Sequence, residues 1–199
     1  MAAPRGVTGV LLAAGAGRRA GGPKALRTEP DGTGWLQRGV AALLGGGCEV
    51  VVVVLGSGAV AAEALLPPLP VERLVVATAG DWAVGMSRSL LAGLAAVPAA
   101  TGAVVVHLVD LPDVPAEVVR LVLAVGGTSD GGLARAGYHG RPGHPVVLGS
   151  AHLPTLAESL RRLGPAEADQ GAKGYLSQHP VTLVECGDLA SGRYRDSSA

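Results

Sequence analysis

Five consecutive valines, Val50–Val54, sit in an apolar run that no polar residue interrupts. β-branched residues favour strands, and a strand without polar alternation has to be covered on both faces. Related runs occur at Val7–Ala13, Arg73–Ala77, Ala103–Leu108, Val146–Leu148 and Val181–Glu185, with a weaker one at Leu133–Ala136. Amphipathic stretches separate them: Trp35–Leu44, Ala59–Leu66, Ser87–Ala96, Ala116–Val125, Leu153–Leu163 and a short Ala172–Gln178. Strands and helices alternating in this way predict an α/β fold, its parallel strands buried by helices and joined by short right-handed crossovers. Gly45-Gly46-Gly47 should end the first helix in a left-handed cap, and Pro67-Pro68 the second.

The chain has 199 residues, enough for one domain with a substantial core, and no repeat or low-complexity linker divides it. Apolar residues make up 48%, but Phe, Ile and Asn are absent, so the core must be built from Val, Leu and Ala. Formal charge is zero and no basic stripe recurs along a helix, which argues against nucleic acid or an anionic membrane as partner. Cys48 and Cys186 are far apart, with no His or Cys at ligand spacing. They read as buried thiols of a reducing compartment. No apolar run approaches the roughly 20 residues of a membrane span, and Met1–Arg5 leaves no room for a signal segment. The expected location is the cytoplasm.

Open α/β sheets bind ligands at the carboxyl ends of their strands. The loops Gly15–Lys24, Gly80–Ser87 and Asp110–Val114 each follow a predicted strand directly. The first holds four glycines, two arginines and a lysine within ten residues. Glycines let backbone N–H groups close on phosphate oxygens, and the cations suit the charge of a triphosphate. Gly15-Ala16-Gly17-Arg18-Arg19-Ala20 also fits the loose G-x-G-x-x-G/A dinucleotide fingerprint. Such a site needs a helix at once and an acid at the end of the next strand. Here Gly21-Gly22-Pro23 interrupts the helix, and the second strand ends in Leu55-Gly56-Ser57. A nucleoside triphosphate is the better match.

Asp110 closes an apolar strand, where a carboxylate serves a metal or caps the next helix. Asp113, nearer Pro115, fits the capping role better and leaves Asp110 for a Mg²⁺–nucleotide complex. Ser87 and Ser89 stand at the start of a helix that they can cap and whose N–H groups can bind an anion. Trp82 can stack on a ring or plug the edge of the core. His144, pinned between Gly143 and Pro145, reads either as a substrate contact or as a structural histidine. Asp169 can cap a short helix or face a substrate.

Together these segments resemble the MobA-like nucleotidyltransferases, most closely the branch typified by molybdenum cofactor cytidylyltransferase. The likeness rests on Leu12–Lys24, matching L-A-A-G-x-[SG]-x-R-x-G-x-x-K, and on Trp82–Leu90, matching W-x-x-G-M-x-x-S-L. It also rests on Val109-Asp110-Leu111-Pro112, Gly143-His144-Pro145 and Ala168–Lys173, in family order. The resemblance implies a three-layer α/β/α, Rossmann-like fold spanning residues 1–199 as a single domain. It implies attack of a substrate phosphate on the α-phosphorus of an NTP, with release of pyrophosphate. Leu12, Ala13, Ala14, Gly15, Ala16, Gly17, Arg18, Arg19, Lys24, Ser87 and Ser89 would hold the nucleotide, with Arg19, Lys24 and Asp110 catalytic. Trp82, His144 and Asp169 would meet the acceptor, and Asp110 with Asp196 would hold Mg²⁺. Ala14 points to CTP, and molybdopterin is the expected acceptor.

The chain departs from that pattern in three places. Ala20 replaces a common Met, Leu111 replaces a Gln, and the D-[IV]-D-T-P ending is reduced to Gly192–Ala199, with only Asp196 alignable. Two other classes therefore stay open: an NAD(P)H-dependent oxidoreductase of the nicotine blue type, and a non-catalytic nucleotide-binding module.

Overall fold

The computed structural model describes residues 6–18, 21–127 and 130–195. Seven strands form one sheet: β1 (Val7–Ala13), β2 (Val50–Leu55), β3 (Leu74–Thr78), β4 (Ala103–Leu108), β5 (Leu133–Tyr138), β6 (Arg141–Gly149) and β7 (Thr182–Glu185). Their order is β3-β2-β1-β4-β6-β5-β7. β3, β2, β1 and β4 run parallel, as do β5 and β7, and β6 is antiparallel to both its neighbours. The helices are α1 (Trp35–Gly45), α2 (Ala59–Glu63), α3 (Met86–Ala95), α4 (Ala116–Gly126), α5 (Leu153–Arg162) and α6 (Lys173–Leu176). None is long and apolar enough to cross a membrane, among the described residues.

Side chains alternate across a strand, so Val10 and Leu11 face opposite layers. A Cβ on Gly93 of α3 would stand 2.7 Å from Val10, and one on Gly39 of α1 would stand 2.8 Å from Leu11. The helices thus approach the sheet closely enough to need glycine at the contact, α1 from one side and α3 from the other. Gly126 of α4 comes equally near Val147 of β6, and α5 lies beside α3. This is the three-layer α/β/α arrangement. β1, β2 and β4 carry fully buried Val and Leu and form the centre of the core.

Several expected elements change length. α2 stops at Glu63, short of Pro67, and the chain continues in tight turns from Leu65 to Ala62 and from Leu66 to Glu63. α6 is reduced to four residues by flanking turns. β5 and β6 are longer than expected, because His139 and Gly140, at φ 53° and 76°, close them into a hairpin. β6 therefore runs through Pro142 and the cis His144–Pro145 bond, with a register shift opposite Ala136. α1 ends in Gly46 with helical φ, and the positive φ (111°) falls on Gly47. Asp113 caps nothing: Pro115 precedes α4, and the Asp113 carboxylate instead accepts from the Ser191 N–H and hydroxyl at 3.0 and 2.5 Å.

Candidate functional site

The carboxyl ends of β1, β2, β3 and β4 open into a cleft of about 570 Å³, whose walls include Leu12, Ala14–Arg18, Lys24 and Asp110. Ala13, buried in β1, is not part of this lining. The glycine loop leaves β1 without entering a helix. A single turn at Lys24–Leu26 follows, and α1 begins only at Trp35. Among the described residues no helix N-terminus stands under the loop, unlike the dinucleotide-binding geometry. Gly17 has φ 55°, and a Cβ there would lie 2.0 Å from the Gly22 carbonyl, whose own N–H donates back to the Gly17 oxygen. Its glycine is required by the loop itself. Gly15 differs, because a Cβ there would meet no atom within 4 Å. Nothing among the described residues demands a glycine at 15, but a ligand pressed against that backbone would. Arg19 and Asp196 lie outside the described residues.

The Lys24 ammonium donates to Asp110 Oδ2 at 2.6 Å, with the two side chains 19% and 15% exposed. The cleft thus presents a cation and an anion side by side at the tips of neighbouring strands. Asp110 is aimed at the loop's own lysine, within the cleft. Among the described residues, no three His, Cys, Asp or Glu side chains converge on a metal position. Two carboxylates, Asp110 and Asp169, line the cleft, and one or two suit Mg²⁺, a cation that keeps water and takes most of its ligands from a bound phosphate chain.

The start of α3 forms the facing wall through Gly85, Met86 and Ser89. Gly85 is the N-cap, and no side chain caps the helix. Ser89 borders the cleft, whereas Ser87 is fully buried beneath it with its hydroxyl unpaired. Trp82 packs against Gly56, where a Cβ would lie 2.7 Å from its ring, and still lines the cleft. It fills the core edge and leaves a ring face in this cleft, whereas His144 lines the neighbouring cavity.

A second cavity of about 630 Å³ adjoins the first, and Leu12, Met86, Asp169 and Tyr194 border both. Its floor is the α3-facing side of the sheet, where Val106, Val146 and Arg135 stand in register on β4, β6 and β5. His144 lines it with Nδ1 buried and unpaired. Burial, then His107 and Arg135, hold its imidazole well below the usual histidine range, so it enters any contact neutral. Asp169 is exposed in the turn Ala168–Gln170 and does not cap α6, whose N-cap is Ala172.

Sequence reasoning missed Tyr194 and Arg135. The segment Ser191–Arg195 lies against the site: the Arg195 N–H donates to the Asp110 carbonyl at 2.9 Å, and its guanidinium reaches Glu29 at 3.1 Å. That fixes Tyr194 between the cavities. Burial and the Asp110 charge raise its phenol above the ordinary value, while Arg135 and Lys24 pull the other way. Gly192, at φ 61°, admits this path past the Tyr138 ring, which a Cβ would meet at 2.1 Å. Tyr138 in turn donates to the His144 carbonyl at 2.7 Å. The run Gly192-Arg193-Tyr194 carried no motif, so only the glycine hinted at a close approach.

Comparison with known proteins shows the family and the fold. A nicotine blue oxidoreductase of Paenarthrobacter nicotinovorans is 37% identical over 203 residues, 96% of this chain and 92% of that protein. The crystal structure of Rv0371c from Mycobacterium tuberculosis H37Rv superposes with a TM-score of 0.72 at 26% identity, covering 92% of this chain and 89% of that one. The same protein in complex with manganese gives 0.66 at 25% identity, over 90% and 88%. The model of the MobA-like NTP transferase domain matches residues 9–183, and the chain belongs to that family.

Proposed function

We propose that this protein transfers a nucleotidyl group, with CTP as donor, to a phosphorylated small-molecule acceptor, for which molybdopterin is the best candidate. The observation that carries the reading is the Lys24–Asp110 pair facing a glycine loop whose Gly15 has no steric reason among the described residues. The triphosphate would lie along Gly15–Arg18, with backbone N–H groups and Lys24 neutralising its oxygens and Arg19 adding charge. Asp110, with Asp196 as a second ligand, would hold Mg²⁺, which supplies Lewis-acid charge neutralisation at the phosphates when bound. The manganese complex of Rv0371c supports a divalent ion in this fold.

The second cavity suits the acceptor. His144 and Asp169 are positioned to orient it, and Trp82 is better placed for the donor. Chemistry here is mainly positioning: the acceptor phosphate attacks the α-phosphorus in line, the P–O bond to the β-phosphate breaks, and pyrophosphate leaves with the electron pair. The choice of CTP rests on Ala14 in the Ala-Ala-Gly form of the loop, which family resemblance associates with cytidine.

The 37%-identical relative supports a second reading, an NAD(P)H-dependent oxidoreductase. Against it stand the missing helix under the loop and the absence of an acid after β2. Calorimetric titration with the four NTPs and with NADPH, each with and without Mg²⁺, separates the two. CTP binding that depends on Mg²⁺ and on Lys24 supports transfer; NADPH binding with no NTP binding overturns it. Pyrophosphate release on adding the pterin acceptor then tests the acceptor.

A further inference from the structure

Arg135 is the one cation on the sheet floor of the second cavity; Lys173, the other among its described lining residues, sits exposed at the rim. Its neighbours in register are Val146 and, one strand further, Val106, with Leu90 and Leu148 close by in the same lining. Its Nε and one terminal nitrogen both donate to a single acceptor, the Gly143 carbonyl, at 3.2 and 3.0 Å. The remaining guanidinium donors have no partner, and no carboxylate forms an ion pair with it, among the described residues. A half-buried cation walled by Val and Leu and left without a counter-charge is costly unless a ligand supplies one. Desolvation accordingly lowers its pKa.

The fork is also held still. The Gly143 carbonyl orients it, and the Tyr138 bond to the His144 carbonyl fixes the same turn of chain. A preorganised planar fork recognises phosphate or carboxylate better than a mobile lysine does. We propose that Arg135 binds an anionic group of the acceptor, whose apolar body lies on the Val106, Val146 and Leu148 floor. The acceptor class is thus an amphipathic anion. The inference rests on the nucleotidyl-transfer reading only in calling the owner of that anion the acceptor.

The test uses 1-naphthyl phosphate, 1-naphthoate and uncharged 1-naphthol as probes, on the full-length protein held with saturating CTP and Mg²⁺. The first two probes distinguish a phosphate from a carboxylate as the preferred anion. Wild type should bind at least one anion ten or more times tighter than 1-naphthol. Arg135→Met should lose that preference while keeping the CTP thermal shift, and Arg135→Lys should recover part of it. Equal binding of anion and naphthol by wild type would overturn the proposal. So would anion affinity in Arg135→Met within threefold of wild type, or displacement of the anion by CTP. Should Arg135→Met not fold, the wild-type ratio and Arg135→Lys decide. If CTP gives no shift but Arg135-dependent anion binding persists, the transfer reading fails and the anchor stands.

Discussion

Asp110→Asn makes the sharpest test of the cleft, because two roles for that carboxylate predict opposite signs. Its pairing with Lys24 at 2.6 Å is neither fully buried nor free in water, with side chains 19% and 15% exposed. The coupling should therefore fall between the ~0–1 kcal/mol of exposed pairs and the ~3–5 kcal/mol seen when a buried pair is broken, at about 1–2 kcal/mol. Urea unfolding of Lys24→Met, Asp110→Asn and the double variant would give that coupling directly. Ligand binding carries the decisive contrast. Without a divalent ion, Asp110 is a negative charge facing a polyanion across an open cleft, so removing it should tighten CTP binding by about fivefold, or about 1 kcal/mol, the value for two unit charges about 4 Å apart at a water-like dielectric of about 80. With Mg²⁺ the same change should weaken binding by roughly tenfold or more, because the ion loses its protein ligand. Lys24→Met should weaken CTP about a hundredfold under both conditions, in line with the ~3 kcal/mol of a preorganised donor to a phosphoryl group. Titration calorimetry reads all of these. If Asp110→Asn shifts CTP affinity by the same factor with and without Mg²⁺, the carboxylate is only Lys24's structural partner and the argument fails.

Gly15 and Gly17 should separate ligand demands from fold demands. Gly15→Ala meets no atom within 4 Å, so its urea midpoint should match wild type while CTP affinity falls at least tenfold; Gly17→Ala, at φ 55° and 2.0 Å from the Gly22 carbonyl, should lose both. His107 is 1% exposed, and burial pushes its imidazole down to about 4 from 6.5. The unfolded chain takes up this proton first, so His107 should cost stability as pH drops from about 6.5 to 4, by on the order of 1 kcal/mol per pH unit; His107→Leu should remove its share of the slope in urea melts and leave the share of His144. Glu185 accepts from the His139, Gly140 and Gly187 N–H groups at 2.9, 3.0 and 2.8 Å, and these bonds hold its carboxyl below the ordinary 4.5. Its contribution is present above that value and lost as pH falls through the folded-state pKa. The urea-midpoint gap between wild type and Glu185→Gln should therefore be constant near neutrality and close in acid. A gap that stays unchanged through the acid unfolding range would refute this.

The fold was legible wherever one local signal dominated. Valine runs marked β2 and β4 to the residue, and β1 was bounded by its glycine loop. The misses share a cause, which is that a tertiary partner overruled the local cue. The expected strand began at Val146, yet β6 starts at Arg141 because β5 pairs with it there, Tyr138 with Arg141 and Gly137 with Pro142, and the register shift absorbs the irregularity. Asp113 has capping chemistry, but Ser191, 78 residues away, claims its carboxylate. Lys24 and Asp110 each carried a motif, and their meeting across 86 residues depended on β1 and β4 being neighbours. Arg135 had no motif at all. Only the register of β5 on β6 shows that it shares a floor with Val146 and Val106.

The shared wall between the two cavities limits how the reaction can run. Leu12 ends on β1, Met86 begins α3, Asp169 lies in the turn before α6, and Tyr194 comes from the C-terminal segment. No single element owns this boundary, so its width depends on all four staying docked. The C-terminal segment is held by an ion pair to Glu29, the Asp113 contacts to Ser191 and one backbone bond to Asp110. The last of these bonds ends on the residue proposed to hold the metal. Loss of the segment would therefore remove the Tyr194 wall and the proposed second ligand Asp196 and loosen Asp110 together, damaging acceptor selection and donor binding in one step. On the proposed chemistry, a truncation before Ser191 should raise the acceptor KM and weaken Mg²⁺-dependent CTP binding in parallel. Tyr194→Ala, which keeps the backbone bond to Asp110, should raise the acceptor KM more than it weakens Mg²⁺-dependent CTP binding. Equal loss of CTP binding in both would show that the phenol ring, and not the docked backbone, supports the metal side.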